Sequence, residues 1–339
     1  MEPQGGPYLD LSGVLSPLGA VRFFQLLLGC ATISLVVHWG GYSATYGTFC
    51  MVAWCLCFSL SLLVLMLEVT RLRGCLRVSW DNLTATVAAL AVLLCAVASV
   101  VYPLFSLGSG CFRGDCGPRE FRIAAAACSC ACCVSYGIEV RFARTRPGRP
   151  PPYMATTPGL LKVTQSFVAG FIFATLSCSS EYAHHAPALY CAAVYSLCLA
   201  VTVTAVVLAV SGKPAVLRLP FERFAAVCSL LAALLYVSAA VVWHVSCLEG
   251  RHSSPWRQGG CPRGSCPLDS RMAVAVFTYA NVLLYVSDAL CAQWGCCSWW
   301  RTGASAHPSP VGAGRPIFFL KNNHRAPSAG TPHRASLYL

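Results

Sequence analysis

Charged residues are what this sequence has least of: Asp, Glu, Lys and Arg together make up 11% of 339 residues, against about a quarter in a soluble domain. That scarcity excludes a globular chain whose surface is solvated by ionic side chains. Proline is missing from the central part of every long apolar run, which argues against the interrupted helices around which many transporters build midplane sites. Period-2 alternation is also missing, so membrane β-strands are excluded. No basic segment with a small-residue cleavage site precedes the first apolar run, and no cleaved signal peptide is expected. No catalytic constellation is recognisable either, so neither enzymatic activity nor a cofactor is expected.

What the chain does have is hydrophobic residues, 56% of the total. A hydrocarbon layer of roughly 30 Å takes about 20 apolar helical residues per crossing. Eight runs meet that requirement: Phe23 to Trp39, Phe49 to Leu67, Leu83 to Leu104, Phe121 to Val140, Leu160 to Cys178, Ala188 to Val210, Phe224 to Trp243, and Met272 to Trp294. The expected fold class is an all-α integral membrane protein with eight transmembrane helices. If both termini are cytoplasmic, 17 of the 24 Lys and Arg residues fall on the inner side, Arg22 and Lys162 among them. The first and third outer loops then carry none, which is the distribution the positive-inside rule favours. The net charge of +12 needs no nucleic acid, because basic residues at the inner surface are stabilised by anionic lipid.

The chain reads as a duplication. Arg22-Phe23-Phe24-Gln25 aligns with Lys162-Val163-Thr164-Gln165 at an offset of 140 residues. Trp80-Asp81-Asn82-Leu83 aligns with Phe221-Glu222-Arg223-Phe224 at 141, and Tyr136-x-x-Glu139 with Tyr285-x-x-Asp288 at 149. GCFRGDCG, Gly110 to Gly117, and GCPRGSCP, Gly260 to Pro267, repeat a Cys-x4-Cys frame in the third loop of each half. Between the halves runs a polar, Pro-rich segment, Arg144 to Pro158, of the kind that tethers packed units.

Two four-helix units, an Arg/Lys-x-x-Gln opening to the first helix, an acidic residue introducing the third and paired cysteines in the second outer loop resemble the MARVEL domain. The tandem arrangement is similar to the myeloid-associated differentiation marker family. The resemblance covers about residues 17–294. It implies two tandem four-helix bundles, at 17–143 and 159–295. The sequence flanks them with an N-terminal cytoplasmic segment (1–16), a linker (144–158) and a cytoplasmic tail (296–339), which lies outside the resemblance and is expected to be disordered because Ser, Pro, Gly, His and Arg dominate from Thr302 onward. The resemblance also implies a non-enzymatic role in organising membrane microdomains, vesicle membranes or contact sites, at the plasma membrane or in secretory and endosomal vesicles. Expected partners are membrane lipids and other membrane proteins, with homo-oligomerisation open; no small-molecule substrate is expected.

Cys111 with Cys116, and Cys261 with Cys266, are disulfide candidates, since both frames face the oxidising side. Arg113-Gly114-Asp115 lies inside the first frame and raises an adhesion-ligand alternative, but the second frame has Ser265 where the first has Asp115. Cys128-x-Cys130-x-Cys132-Cys133 spreads around a helix and points to no metal site. Cys75, Cys296 and Cys297 lie at the inner interface, and the last two are palmitoylation candidates. Asn82-Leu83-Thr84 fits the glycosylation pattern but faces the cytoplasm, so no glycan is expected.

Polar residues at membrane depth are few, and each is a functional hypothesis. Glu68, Glu139 and His244 are placed at helix ends, within reach of the interface. Asp288 is deeper, with Tyr285 on the same face as Tyr136 is to Glu139, and an interhelical hydrogen bond is its expected role. No intramembrane Lys or Arg is expected to complete a relay. A transporter or channel using Asp288 and Glu139 is the competing reading.

Overall fold

Inside hydrocarbon each backbone N–H must bond within its own segment, so an apolar run crosses as a helix. The computed structural model describes residues 15–38, 40–42, 45–108, 119–146, 148–177, 186–212, 221–248 and 267–303. It contains eight long helices: α1 Pro17–His38, α2 Thr45–Val69, α3 Trp80–Gly108, α4 Arg119–Arg144, α5 Thr157–Ser177, α6 Ala186–Val210, α7 Phe221–Trp243 and α8 Pro267–Gly303. One π-helical turn, His244–Leu248, prolongs α7. No strand occurs among the described residues. All eight helices carry a stretch long and apolar enough to span a bilayer, so this is an all-α, eight-span integral membrane protein.

The helices begin outside the apolar runs that announced them. α1 starts at Pro17 rather than Phe23, and α5 at Thr157 rather than Leu160. Arg22, which precedes the first apolar run, therefore stands inside a helix, as does Lys162 just within its own run; both were counted with the inner-face residues by sequence.

Polarity is arranged inside out. α1 buries Arg22, Gln25, Gly29, Thr32 and Val36, spaced by three, four, three and four residues as one face of a helix demands. Its large apolar residues Phe23, Phe24 and Leu27 are exposed. Lipid tails are as apolar as leucine, so burying leucine gains little there; cores form from small residues and internal hydrogen bonds instead. The buried residues of α3 include Ala85, Ala88, Ala89, Ala91, Cys95 and Ala98.

Side-chain bonds fix the helix directions. Along α1, Arg22 and Gln25 meet Glu139 and Ser135 of α4, one index rising as the other falls, so the two run antiparallel. Trp54 and Ser61 of α2 meet Ser129 and Tyr136 of α4 in parallel. In the second half α6 and α8 are likewise parallel through Tyr195–Thr278 and Thr202–Tyr285. One apolar core forms within α1–α4 and another within α5–α8.

Whether the halves touch was not legible in the sequence; they pack. A third cluster joins Ala85 and Ala89 of α3 to Val163 of α5, Ala209 of α6, and Met154 and Ala155 of the connecting segment. Farther along the helices from that segment, Phe49 of α2 meets Phe171 of α5 at 5.7 Å between ring centroids, and Phe171 stacks on Phe277 of α8 at 5.3 Å. The connecting segment is a packed strap. Its turn Tyr153–Ala155 buries Met154 and Ala155 completely, and Arg146 pairs with Asp81 at the start of α3. Gly159 is needed for that fit. A Cβ there would sit 2.3 Å from the Tyr153 carbonyl oxygen and 2.6 Å from Met154 Cα, both backbone atoms.

Candidate functional site: a buried ion-pair cluster in each bundle

The residues that open α1 and α5 project into the bundle interior. Arg22 and Lys162 each lie five residues from the start of their helix, about 7.5 Å along the axis, and are 2% and 3% exposed. A cation so placed needs an anion and a full set of acceptors.

In the first bundle Arg22 Nε donates to Glu139 Oε1 at 2.7 Å, and its Nη1 donates to Glu68 Oε2. Gln25 Nε2 reaches the other Glu139 oxygen at 2.9 Å. The planar fork of a guanidinium suits this bridging of two carboxylates from α2 and α4. In the second bundle Lys162 Nζ donates to Asp288 Oδ2 at 2.8 Å and to Ser229 Oγ at 2.9 Å. Ser229 Oγ donates to the same carboxylate oxygen at 2.7 Å, and Gln165 Nε2 at 3.2 Å. A lysine ammonium is a point charge, and here one carboxylate and one hydroxyl accept from it. Ala209 stands at the repeat counterpart of Glu68, and Ala88 at that of Ser229. The two halves thus use different residue sets around one shared arrangement.

The likeness continues deeper. Tyr136 OH bonds Ser61 Oγ at 2.6 Å, and Tyr285 OH bonds Thr202 Oγ1 at 2.7 Å. Trp54 Nε1 donates to Ser129 Oγ at 2.9 Å, where Tyr195 OH and Thr278 Oγ1 pair at 2.8 Å. Cys50 and Cys191 each turn their thiol to a carbonyl, of Ala98 and Ala239. Chemistry changes between the copies while helix register does not.

These contacts correct two sequence expectations. Glu139 does not reach the interface: it is 6% exposed and held by Arg22. Cations do occur inside the bundles, and Arg22 and Lys162 complete the pairs that Glu139 and Asp288 begin. Asp288 does make interhelical hydrogen bonds, but to a lysine, a glutamine and a serine together. Arg22, Gln25, Glu68, Lys162, Gln165 and Ser229 were missed as site residues. The signal was present: the Arg/Lys-x-x-Gln and Tyr-x-x-acid motifs recur together, although nothing in the sequence joined one to the other. The first cluster borders a cavity of about 10 Å³ lined by Arg22, Gln25, Ser61, Thr84, Tyr136 and Glu139, room for about one water molecule.

Asn82 has a use unrelated to glycosylation. Its Nδ2 donates to Ser79 Oγ and to the Ala209 carbonyl of α6, both at 3.1 Å, while its Oδ1 accepts from Met154 N. Beside it Ser79 N donates to the Val210 carbonyl at 2.7 Å. The side chain clasps first half, strap and second half. Cys111, Cys116, Cys261, Cys266 and Arg113 to Asp115 lie outside the described residues, and so do His184, His185 and the chain after Gly303. Cys296 and Cys297 fall within α8, and their side chains are outside the description. The thiols of Cys128, Cys130, Cys132 and Cys133 spread over buried and exposed faces of α4, and no group able to hold a metal occurs among the described residues.

Eight spans in two like bundles, each closed around its own ion pair, define a multi-pass membrane protein built from a duplicated four-helix domain. The membrane-associating domain, MARVEL, matches the chain twice, at residues 13–142 and 153–291. Human myeloid-associated differentiation marker-like protein 2 is 49% identical over 295 residues, covering 86% of this chain and 96% of that protein. Its Xenopus laevis counterpart is 44% identical over 86% of this chain and 97% of its own length. The human myeloid-associated differentiation marker is 37% identical over 80% and 86% respectively. No solved structure matches the chain. The chain belongs to the MARVEL family, in its two-domain myeloid-associated differentiation marker branch.

Proposed function

We propose that this chain is a non-enzymatic organiser of membranes, associating laterally with lipids and other membrane proteins while both termini face the cytoplasm. The observation that carries this reading is that the buried charges are matched locally. Glu139 takes its partners from α1 and Asp288 from α5 and α7, so each carboxylate serves its own bundle rather than a path between bundles. Such clusters hold helices together, and what remains for partners is the apolar outer surface. Cys111–Cys116 and Cys261–Cys266 disulfides would shape the two outer loops, and acylation of Cys296 and Cys297 would add inner-leaflet anchorage. The proposed residence is the plasma membrane or secretory and endosomal vesicles.

Proximity labelling from the C-terminal tail in intact cells tests the reading. Enrichment of other integral membrane proteins is expected. Proton or ion flux through reconstituted vesicles that Asp288→Asn abolishes would overturn it in favour of transport. Tags at Gly108 and Gly260 test the orientation: both should react with an impermeant reagent outside the cell.

A further inference from the structure

Near its start, the third helix of each bundle buries one hydroxyl, and the two copies place it one turn apart. The second bundle has Ala225 and then Ser229 on α7, where the first has Thr84 and then Ala88 on α3. Thr84 and Ser229 are both buried. Ser229 Oγ meets the charges of its bundle directly, 2.7 Å from Asp288 Oδ2 and 2.9 Å from Lys162 Nζ. Thr84 stands one helical turn, about 5.4 Å, from the corresponding position. Its hydroxyl donates back to the Trp80 and Asp81 carbonyls of its own helix. Among the described residues Glu139 takes its side-chain partners from α1 alone, so α3 lends the first cluster no side chain.

The small cavity at the first cluster lies in that interval, with Thr84 and Val87 of α3 in its wall. Gln25 lines it too. This residue is 1% exposed, and its Oε1 accepts no hydrogen bond among the described residues. The amide is not free to turn away, because its Nε2 is held by Glu139 at 2.9 Å. Gln165 Oε1 accepts no bond either, so an unpaired amide oxygen does not by itself mark a site. The displaced hydroxyl and the polar cavity beside it do. A buried water keeps about two to four polar partners. This cavity offers Gln25 from α1, Ser61 from α2, Thr84 from α3 and Glu139 from α4.

We infer that the first cluster is a binding site for one water molecule, which takes the part that the Ser229 hydroxyl plays in the second bundle. The water donates to Gln25 Oε1 and Thr84 Oγ1 and accepts from Ser61 Oγ, whose own acceptor side is filled by Tyr136 OH. Through Gln25 it ties α3 to the ion pair that already joins α1, α2 and α4. The site does not depend on the organising role proposed above. It gives the two copies different interiors, the first completed by solvent and the second by a side chain.

Radiolytic footprinting of the full chain in lipid nanodiscs, read by mass spectrometry, tests the site, because radicals formed from a resident water oxidise the side chains around it. Tyr136 and Tyr285 are matched reporters. Each is 1% exposed and bonds a hydroxyl of the second helix in its own bundle, and Tyr136 lines the cavity. In wild type Tyr136 should be oxidised about tenfold faster than Tyr285. Moving the hydroxyl by one turn, Thr84→Ala with Ala88→Ser, should bring Tyr136 down to the Tyr285 rate. The opposite exchange, Ala225→Thr with Ser229→Ala, should raise Tyr285 instead. Equal rates in wild type, whether both fast or both slow, would overturn the inference. So would an unchanged Tyr136 rate in a Thr84→Ala, Ala88→Ser protein that melts like wild type. The wild-type comparison needs no substitution, so it decides the matter even where a variant fails to fold.

Discussion

Replacing Asp288 with asparagine keeps the shape of the second cluster and removes its only carboxylate. Three donors converge on Asp288 Oδ2, from Lys162, Ser229 and Gln165, and both ionic side chains are 3% exposed. At 2.8 Å and an effective dielectric of about 20, the gross attraction of the ion pair is on the order of 6 kcal/mol. Most of it offsets the desolvation of the two charges. The single mutant keeps the desolvated lysine and loses its partner, so about 3–5 kcal/mol of stability should go. Lys162→Met alone should cost a similar amount by stranding the carboxylate. The double variant Lys162→Met with Asp288→Leu should recover most of either loss, because it removes both charges and supplies apolar volume. The assay is unfolding of the full chain in mild detergent, followed by helical circular dichroism, with the four proteins forming a double-mutant cycle. If the double variant lost the sum of the two single losses, the residues would be acting independently and the account of the cluster would fail.

In the first cluster Arg22→Lys keeps the charge but not the fork, so one of the contacts to Glu68 and Glu139 goes; roughly 1–3 kcal/mol is expected in the same unfolding assay, and about 3–5 kcal/mol for Arg22→Ala. Gly159→Ala drives a methyl into the strap and should destabilise by about 1–3 kcal/mol, whereas Gly137→Ala, whose Cβ meets nothing within 4 Å, should be neutral or gain up to about 1 kcal/mol; equal melting temperatures for the two would refute the close approach. Asn82→Ala removes the clasp, and faster hydrogen exchange at the α3–strap–α6 junction should follow, with about 1–3 kcal/mol lost. Glycosidase treatment of wild-type protein from cells should leave its mobility on gels unchanged.

Much of the fold was legible. A run of twenty apolar residues has only the helix available in hydrocarbon, so the count of eight could be read directly. Duplication could be read from Arg22-x-x-Gln25 against Lys162-x-x-Gln165, because the same chemistry recurs at nearly constant offset. The site was half legible. Asp288 stood out by depth, while Arg22 was assigned to the inner surface because the first apolar run begins after it, and Lys162 because it stands at the entrance to its run, Leu160 to Cys178. Helices extend past their apolar cores wherever polar side chains find partners inside the bundle, and a hydropathy boundary cannot register that. Ser229 gave no sign at all, since a serine in an apolar run is ordinary.

The sequence by itself determined how many times the chain crosses the membrane, that it does so as helices, and that the second half copies the first, because those depend on each segment's own apolar length and on residue identities. Only the tertiary structure decided which helices meet at what register. That register joins Arg22 to Glu139 across 117 residues and Lys162 to Asp288 across 126, and it turns a linker into a packed strap. The physical reason is that these helices are apolar on nearly every side, so hydrophobicity does not distinguish the face toward lipid from the face toward the bundle. Close packing of small residues and completion of buried hydrogen bonds make that choice, and both exist only once the helices are in contact.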